Sequence, residues 1–172
     1  MIRVVVTGSE CTGKTTLASA LAEHFDTVWV PEFVRMFVEE KGSAPELADV
    51  EAIARGQMAL EDQIAPEASG LLIQDTDLLS TVIYSRHYYG DWPAWIEDEL
   101  RARAGDLYLL AGIDVPWVPD GDQRDRGDRR TEMQELFRAA LSERGYRWVA
   151  VSGPPAQRIE TAISAIEDLL SE

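Results

Sequence analysis

The sequence predicts an α/β domain in which a parallel sheet is covered by helices on both faces. Two observations point there. Apolar, β-rich runs alternate with stretches of helical period, and the polar residues with chemical promise fall where strands end. At 172 residues, 45% of them hydrophobic, the chain can bury one well-covered core, so a single domain over 1–172 is expected.

Ile2 to Thr7 reads as a buried strand, and Thr15 to Phe25 as a helix with Leu17 and Leu21 on one face. Thr27 to Val30 is a second strand, stopped by Pro31. Ile53, Gln57, Leu60 and Ile64 mark one face of a longer helix that Pro66 ends. Leu71 to Ile73 forms the third strand and Leu107 to Ala111 the fourth. Met133, Leu136, Phe137, Ala140 and Leu141 make a helical stripe. Arg147 to Val151 is the fifth strand, and Ile159, Ile163, Ile166 and Leu170 line the last helix. These patterns imply a three-layer sandwich around a five-stranded parallel sheet; they leave strand order open.

Acidic residues outnumber basic ones by 31 to 16, a formal net charge of −15. That field opposes binding to nucleic acid or anionic lipid, so neither a nucleic-acid nor a membrane partner is expected. No apolar run approaches the roughly 20 residues a membrane span needs. The start of the chain has no secretory pattern, and a lone cysteine, Cys11, fits a reducing compartment; a cytoplasmic location is expected. Oligomeric state is not readable.

Gly8-Ser9-Glu10-Cys11-Thr12-Gly13-Lys14-Thr15 matches G-x-x-x-x-G-K-[ST] in full, with a strand entering and an amphipathic helix leaving. This is the phosphate loop of a P-loop NTPase. Its backbone N–H groups curl around phosphate oxygens, and the helix N-terminus, running on through Thr16, adds partial positive charge. Lys14 is expected to reach the β- and γ-phosphates and Thr15 to ligate magnesium. ATP and Mg2+ are the implied cofactors. Cys11 reads as a small residue that fits the loop, with a regulatory thiol as the alternative.

The third strand runs into Asp75-Thr76-Asp77. In P-loop proteins an acid at such a strand end holds magnesium, which assigns Asp75. Asp77 is expected to do the same, to orient an acceptor or contact a sugar hydroxyl, or, like Thr76, to cap the following helix. The second strand ends at Pro31-Glu32, with Arg35 three residues on. Glu32 faces the Lys14 end of the same crevice, where a kinase must orient or deprotonate an acceptor hydroxyl; a structural Glu32–Arg35 pair is the competing account.

Four arginines crowd into the polar stretch from Asp120 to Arg130. A lid carrying guanidinium groups over a transferring phosphoryl group has this composition, with Arg124 and Arg126 the first choices for contact; a self-paired surface loop is the alternative. Tyr84, Tyr88, Tyr89, Trp92 and Trp95 cluster before the fourth strand, and Trp117 follows it. Trp92 and Trp117, in Pro- and Gly-containing segments, are the aromatics expected in a pocket; the others suit a core. Ser152-Gly153-Pro154-Pro155 is a candidate base-binding loop.

Taken together the chain resembles the ribosylnicotinamide kinase domain of the bacterial NadR-type NAD-biosynthesis proteins over nearly its whole length. Glu10 in the phosphate loop, Pro31 to Arg35, Gln57 to Leu60, Asp75 to Asp77 and Trp117-Val118-Pro119-Asp120-Gly121 carry the resemblance. It implies a nucleotide-kinase-like core with a lid at 120–130, and ATP-dependent phosphorylation of the ribose 5′-hydroxyl of nicotinamide riboside. Glu32, Arg35, Asp77, Trp92, Trp117 and Asp120 would then bind the acceptor. Family members carry an adenylyltransferase domain, and sometimes a DNA-binding one, ahead of the kinase. This chain opens on its first strand, so those activities are expected to be absent. Two other readings stand beside it: another nucleoside kinase, such as one for deoxynucleosides, and a regulatory nucleotide-binding module whose state is read by a partner.

Overall fold

The computed structural model describes residues 1–116 and 129–172. Among them, five strands form one all-parallel sheet: β1 (Ile2–Thr7), β2 (Trp29–Val30), β3 (Leu71–Asp75), β4 (Leu107–Ala111) and β5 (Trp148–Val151). Their order across the sheet is β2-β3-β1-β4-β5. The helices are α1 (Lys14–His24), α2 (Phe33–Lys41), α3 (Val50–Ile64), α4 (Leu78–Tyr89), α5 (Trp95–Arg103), α6 (Arg130–Glu143) and α7 (Pro155–Leu170).

The strands are apolar on both faces because both are covered. Val4 and Val6 of β1 pack with Leu17 and Leu21 of α1 and Ile166 of α7. Val5, pointing the other way, packs with Leu79 and Val82 of α4 and Phe137 of α6. Each fully buried aliphatic side chain contributes about 1.5–3 kcal/mol of burial free energy, so the two cores hold the helices to the sheet. The three-layer α/β sandwich expected from the sequence is the architecture observed.

The boundaries shift for local reasons. β2 is two residues long because Thr27 is drawn into the preceding turn, its N–H donating to the Ala22 carbonyl at 3.0 Å and its hydroxyl to the Leu71 carbonyl at 2.5 Å. β3 runs two residues past the apolar triplet, because Gln74 and Asp75 pair with Val5 and Val6 of β1 and are buried there. Two helices contribute little to the core: α2 buries none of its residues fully, and α5 buries only Ile96 and Leu100. Leu136 and Leu170, placed on apolar stripes by sequence, sit at the solvent edges of α6 and α7.

This order places the carboxyl ends of β1, β2 and β3 side by side. Val6 lies opposite Asp75, and Val30 opposite Gln74. The phosphate loop after β1, Glu32 after β2 and the two acids at the end of β3 therefore meet at one corner.

Candidate active site

The loop between β1 and α1 opens at Gly8, whose φ of 132° belongs to glycine. A Cβ there would lie 3.1 Å from the Ala111 carbonyl oxygen, so glycine also lets the loop rest against the end of β4. The loop's carbonyls are turned outward and occupied. The Ser9 carbonyl accepts from Lys14 Nζ at 2.9 Å and from the Thr12 hydroxyl at 2.8 Å. The Cys11 carbonyl accepts from Arg130 Nη2 at 3.3 Å, and the Thr12 carbonyl from Arg158 Nη1 at 2.9 Å. With these acceptors taken, the first-turn N–H groups of α1, which have no intrahelical partner, supply an anion site of one sign.

At the same corner Thr15 donates its hydroxyl to Asp75 Oδ2 at 2.6 Å, while Asp75 Oδ1 is buried without a hydrogen-bond partner. An ionised oxygen left unpaired in a buried position is costly unless a cation or water meets it. The pair fits a magnesium ion, which takes oxygen ligands and keeps water or phosphate in its other positions. Among the described residues, no group of three or more His, Cys, Asp and Glu side chains could hold a metal unaided. A magnesium ion held by this pair would have to draw the rest of its ligands from water or a bound phosphate.

From Lys14 a cavity of about 390 Å³ extends between α2, α3 and α4. Glu32, Arg35, Gln57, Asp77, Tyr84 and Tyr88 are on its walls. Glu32 lies at the N-terminus of α2, where its backbone is extended. The next N–H, of Phe33, donates to Gln57 Oε1 at 2.9 Å, pinning the start of α2 to α3. The cavity leaves Glu32 partly accessible, yet enough protein surrounds it that burial raises its pKa. Lys14 and Arg35 pull the other way, and Asp75 adds to the rise.

Asp77 caps α4, its Oδ1 accepting from the Leu79 N–H at 3.0 Å, and its Oδ2 accepts from the Tyr108 hydroxyl at 2.8 Å. Burial pushes its pKa up to about 6 despite both donors. Nearby Glu61 of α3 is raised to about 7, first by burial and then by the charge of Asp77, with Arg103 opposing. Between the two acids of β3 and α4, Thr76 takes a left-handed φ of 72°, rare for a β-branched residue, and its hydroxyl pairs closely with that of Ser80. Tyr84 and Tyr88, one turn apart on α4, stack with ring planes 7° apart and centroids 6.1 Å apart.

The structure therefore brings Lys14, Glu32, Arg35 and Asp77 to one cavity, with Thr15 and Asp75 at its phosphate end. Asp77 carries the helix-capping role that sequence left open as an alternative. Trp92 needs correcting. It sits outside this cavity, in a shallow depression with Leu47, Glu51 and Pro93, and packs against the core. The chain turns away after α4, so the aromatics reaching the cavity are the helical tyrosines instead. Trp117, Asp120, Arg124 and Arg126 lie outside the described residues, as does most of the expected lid. Arg130 and Arg158 are given no site role by the sequence, and Gln57 appears there only on a helix face and in the run that carries the resemblance. Arg130 closes the arginine-rich run, which is a signal; Arg158 carries none, because its partners are remote in sequence.

The AAA domain family model matches residues 3–158. Among characterised proteins, the trifunctional NAD biosynthesis/regulator protein NadR of Escherichia coli is 30% identical over 154 residues. The alignment covers 86% of this chain but only 37% of that protein, so the chain spans little more than a third of its relative. Two solved structures share the fold. A NadR protein in complex with NR superposes with a TM-score of 0.74 at 24% identity, covering 97% of this chain and 49% of that one. A NadR protein in complex with NAD and AMP-PNP superposes with a TM-score of 0.77, at the same identity and coverage.

Proposed function

Because the chain belongs to the AAA domain family, with the P-loop that the family shares, we propose that it is an ATP-dependent kinase. Its acceptor is the ribose 5′-hydroxyl of nicotinamide riboside, and its product nicotinamide mononucleotide. The observation that carries this reading is the continuity of the site: one cavity has the phosphate-loop lysine at one end and a carboxylate with stacked aromatic rings along its walls. A regulatory switch has no need of an acceptor cavity opening directly on that lysine. The NadR protein solved with NR supports the choice of acceptor.

Lys14 leaves its resting hydrogen bond to Ser9 and neutralises the transferring phosphoryl group. Thr15 and Asp75 would hold magnesium, which when bound would offset negative charge on the phosphate oxygens. Glu32, whose pKa burial raises, orients the acceptor hydroxyl and takes its proton. Tyr84 and Tyr88 offer a planar wall for the nicotinamide ring. Arg130, buried against the loop with its Nε lacking a hydrogen-bond partner among the described residues, is placed to add positive charge to the phosphate site. Catalysis on this account is positioning plus electrostatics.

The test is magnesium-dependent ADP release from ATP, with nicotinamide riboside or a panel of other nucleosides. Strong stimulation by nicotinamide riboside is expected, and Lys14→Ala should lower the stimulated rate by about 10³-fold. Stimulation by a different nucleoside only would replace the acceptor and keep the mechanism. ATP binding with no stimulation by any acceptor would overturn the kinase reading.

A further inference from the structure

Arg158 is a buried cation on α7 that the reaction described above does not use. It is 5% exposed. Every nitrogen of its guanidinium donates to a different part of the nucleotide end of the sheet. Nε donates to the Gly153 carbonyl at 2.9 Å, on the loop between β5 and α7. Nη1 donates to the Thr12 carbonyl of the phosphate loop at 2.9 Å. Nη2 donates to the Gly112 carbonyl just past β4 at 3.0 Å, and it also pairs closely with Asp114 Oδ1. Asp114 closes the circuit, accepting from the Gly153 N–H through its other oxygen at 2.6 Å. That N–H, first among its contacts, holds the Asp114 carboxyl below the usual carboxylate range.

Three segments more than thirty residues apart in sequence are thus locked by one planar cation and one carboxylate. Such a bidentate, charge-assisted arrangement fixes geometry as well as adding free energy. The phosphate loop is one of the three. The loop at Ser152 to Pro155, beyond the carboxyl end of β5, is another, and it is the candidate base-binding loop named from the sequence.

We infer that Arg158, held by Asp114, is a positioning residue that fixes the phosphate loop and the β5–α7 loop at the spacing of a nucleoside triphosphate, so that phosphates and base are bound together. The inference rests on the proposed ATP-binding reading and deepens it. In physical terms, the clamp sets the effective concentration of one end of the ligand at its subsite once the other end is bound. Losing the clamp removes the advantage of having both ends.

The experiment is calorimetric titration of the whole chain with magnesium AMP-PNP and, separately, magnesium tripolyphosphate, for wild type, Arg158→Gln and Asp114→Asn. The ratio of the two affinities reads the contribution of the base end. Wild type is expected to prefer AMP-PNP clearly. Arg158→Gln should lose about tenfold in AMP-PNP affinity, the worth of one charge-assisted hydrogen bond. Tripolyphosphate affinity should fall less, so the ratio should fall with it. Asp114→Asn, which keeps the arginine and removes only the charge that orients it, should show the same change at smaller amplitude. A purely structural role would lower the melting temperature and leave the ratio untouched, overturning the inference. So would a wild type with no preference between the two ligands, which would leave the phosphate-loop reading standing. A wild type that binds neither ligand overturns the underlying reading instead, and this inference with it. If Arg158→Gln lacks a cooperative melt, the ratio in Asp114→Asn decides.

Discussion

The two ends of the cavity are built from different materials. At the phosphate end the working groups are mostly backbone: amides of a contiguous run, their carbonyls tied back by Lys14, Thr12, Arg130 and Arg158. At the acceptor end they are side chains from α2, α3 and α4, and the carboxylates among them are held partly out of water with raised pKa values. A backbone site is indifferent to most side-chain changes and binds a common group, phosphate, by geometry. A side-chain site can be altered one residue at a time, and its charges respond to pH. The first arrangement suits a shared co-substrate and the second a particular acceptor.

The sharpest way to separate the two ends is Glu32→Gln. If Glu32 belongs to the acceptor end alone, the variant should lose about a hundredfold or more in turnover while ATP affinity stays within a few-fold. Burial raises the pKa of Glu32, so the wild-type rate should climb with pH as this carboxyl ionises, above the usual carboxylate range. The variant should lack that limb. Equal turnover would move the proton-accepting role to Asp77, and a matching loss of ATP affinity would erase the contrast between the ends.

The second test concerns how far the acceptor end is a strained acid cluster. Glu61 titrates at about 7 in the fold against 4.5 ordinarily. A raised carboxyl favours the fold when protonated. Its contribution is therefore full below pH 4.5 and is lost as pH rises through about 7. Denaturant unfolding across this range should show wild type losing on the order of 2–3 kcal/mol from this group, and Glu61→Gln should flatten that decline. Asp77 should leave a residual slope in the variant, between 3.8 and about 6. A variant whose stability falls as steeply as wild type between pH 5 and 7 would remove Glu61 from the cluster.

The smallest expected effect comes from Gly56→Ala. A Cβ there would meet the Phe33 ring at 2.1 Å, so that ring must move, at the first residue of α2 and next to Glu32. Overpacking of this kind costs about 1–3 kcal/mol. A rise of a few-fold in the acceptor KM is expected, with the ATP KM unchanged. An altered ATP KM instead would mean that the two ends are mechanically coupled.

The same contrast explains what could be read from sequence. The phosphate loop was fully legible, since its eight positions are consecutive and flanked by a strong strand and helix. Asp75 and Glu32 were legible because strand ends are marked by a change from apolar to polar residues. The acceptor cavity was legible only in part. Gln57 matters through Phe33, 24 residues away, and Arg158 through Thr12, 146 residues away; no local pattern encodes such pairs. Tyr84 and Tyr88 were read as core because helical spacing does not say which face is empty. Trp92 reads as a pocket residue because its segment contains Gly90 and Pro93, and turn composition does not fix direction. In the fold, strands apolar throughout are found readily, whereas α2 is only nine residues long and its apolar face, Phe33, Val34, Phe37 and Val38, is half-buried.

Thr76 gives the corner a property that neither acid beside it has alone. Its left-handed backbone turns the chain between Asp75, which bonds to Thr15 of α1, and Asp77, which bonds to Tyr108 on the opposite side of the sheet. Two acids separated by one residue thereby make their hydrogen bonds on opposite faces of the sheet. Exchange at 77 or on α4 touches neither partner of the Thr15–Asp75 hydrogen bond. An inserted or deleted residue in this tripeptide would undo that independence, where a point substitution at either acid would not.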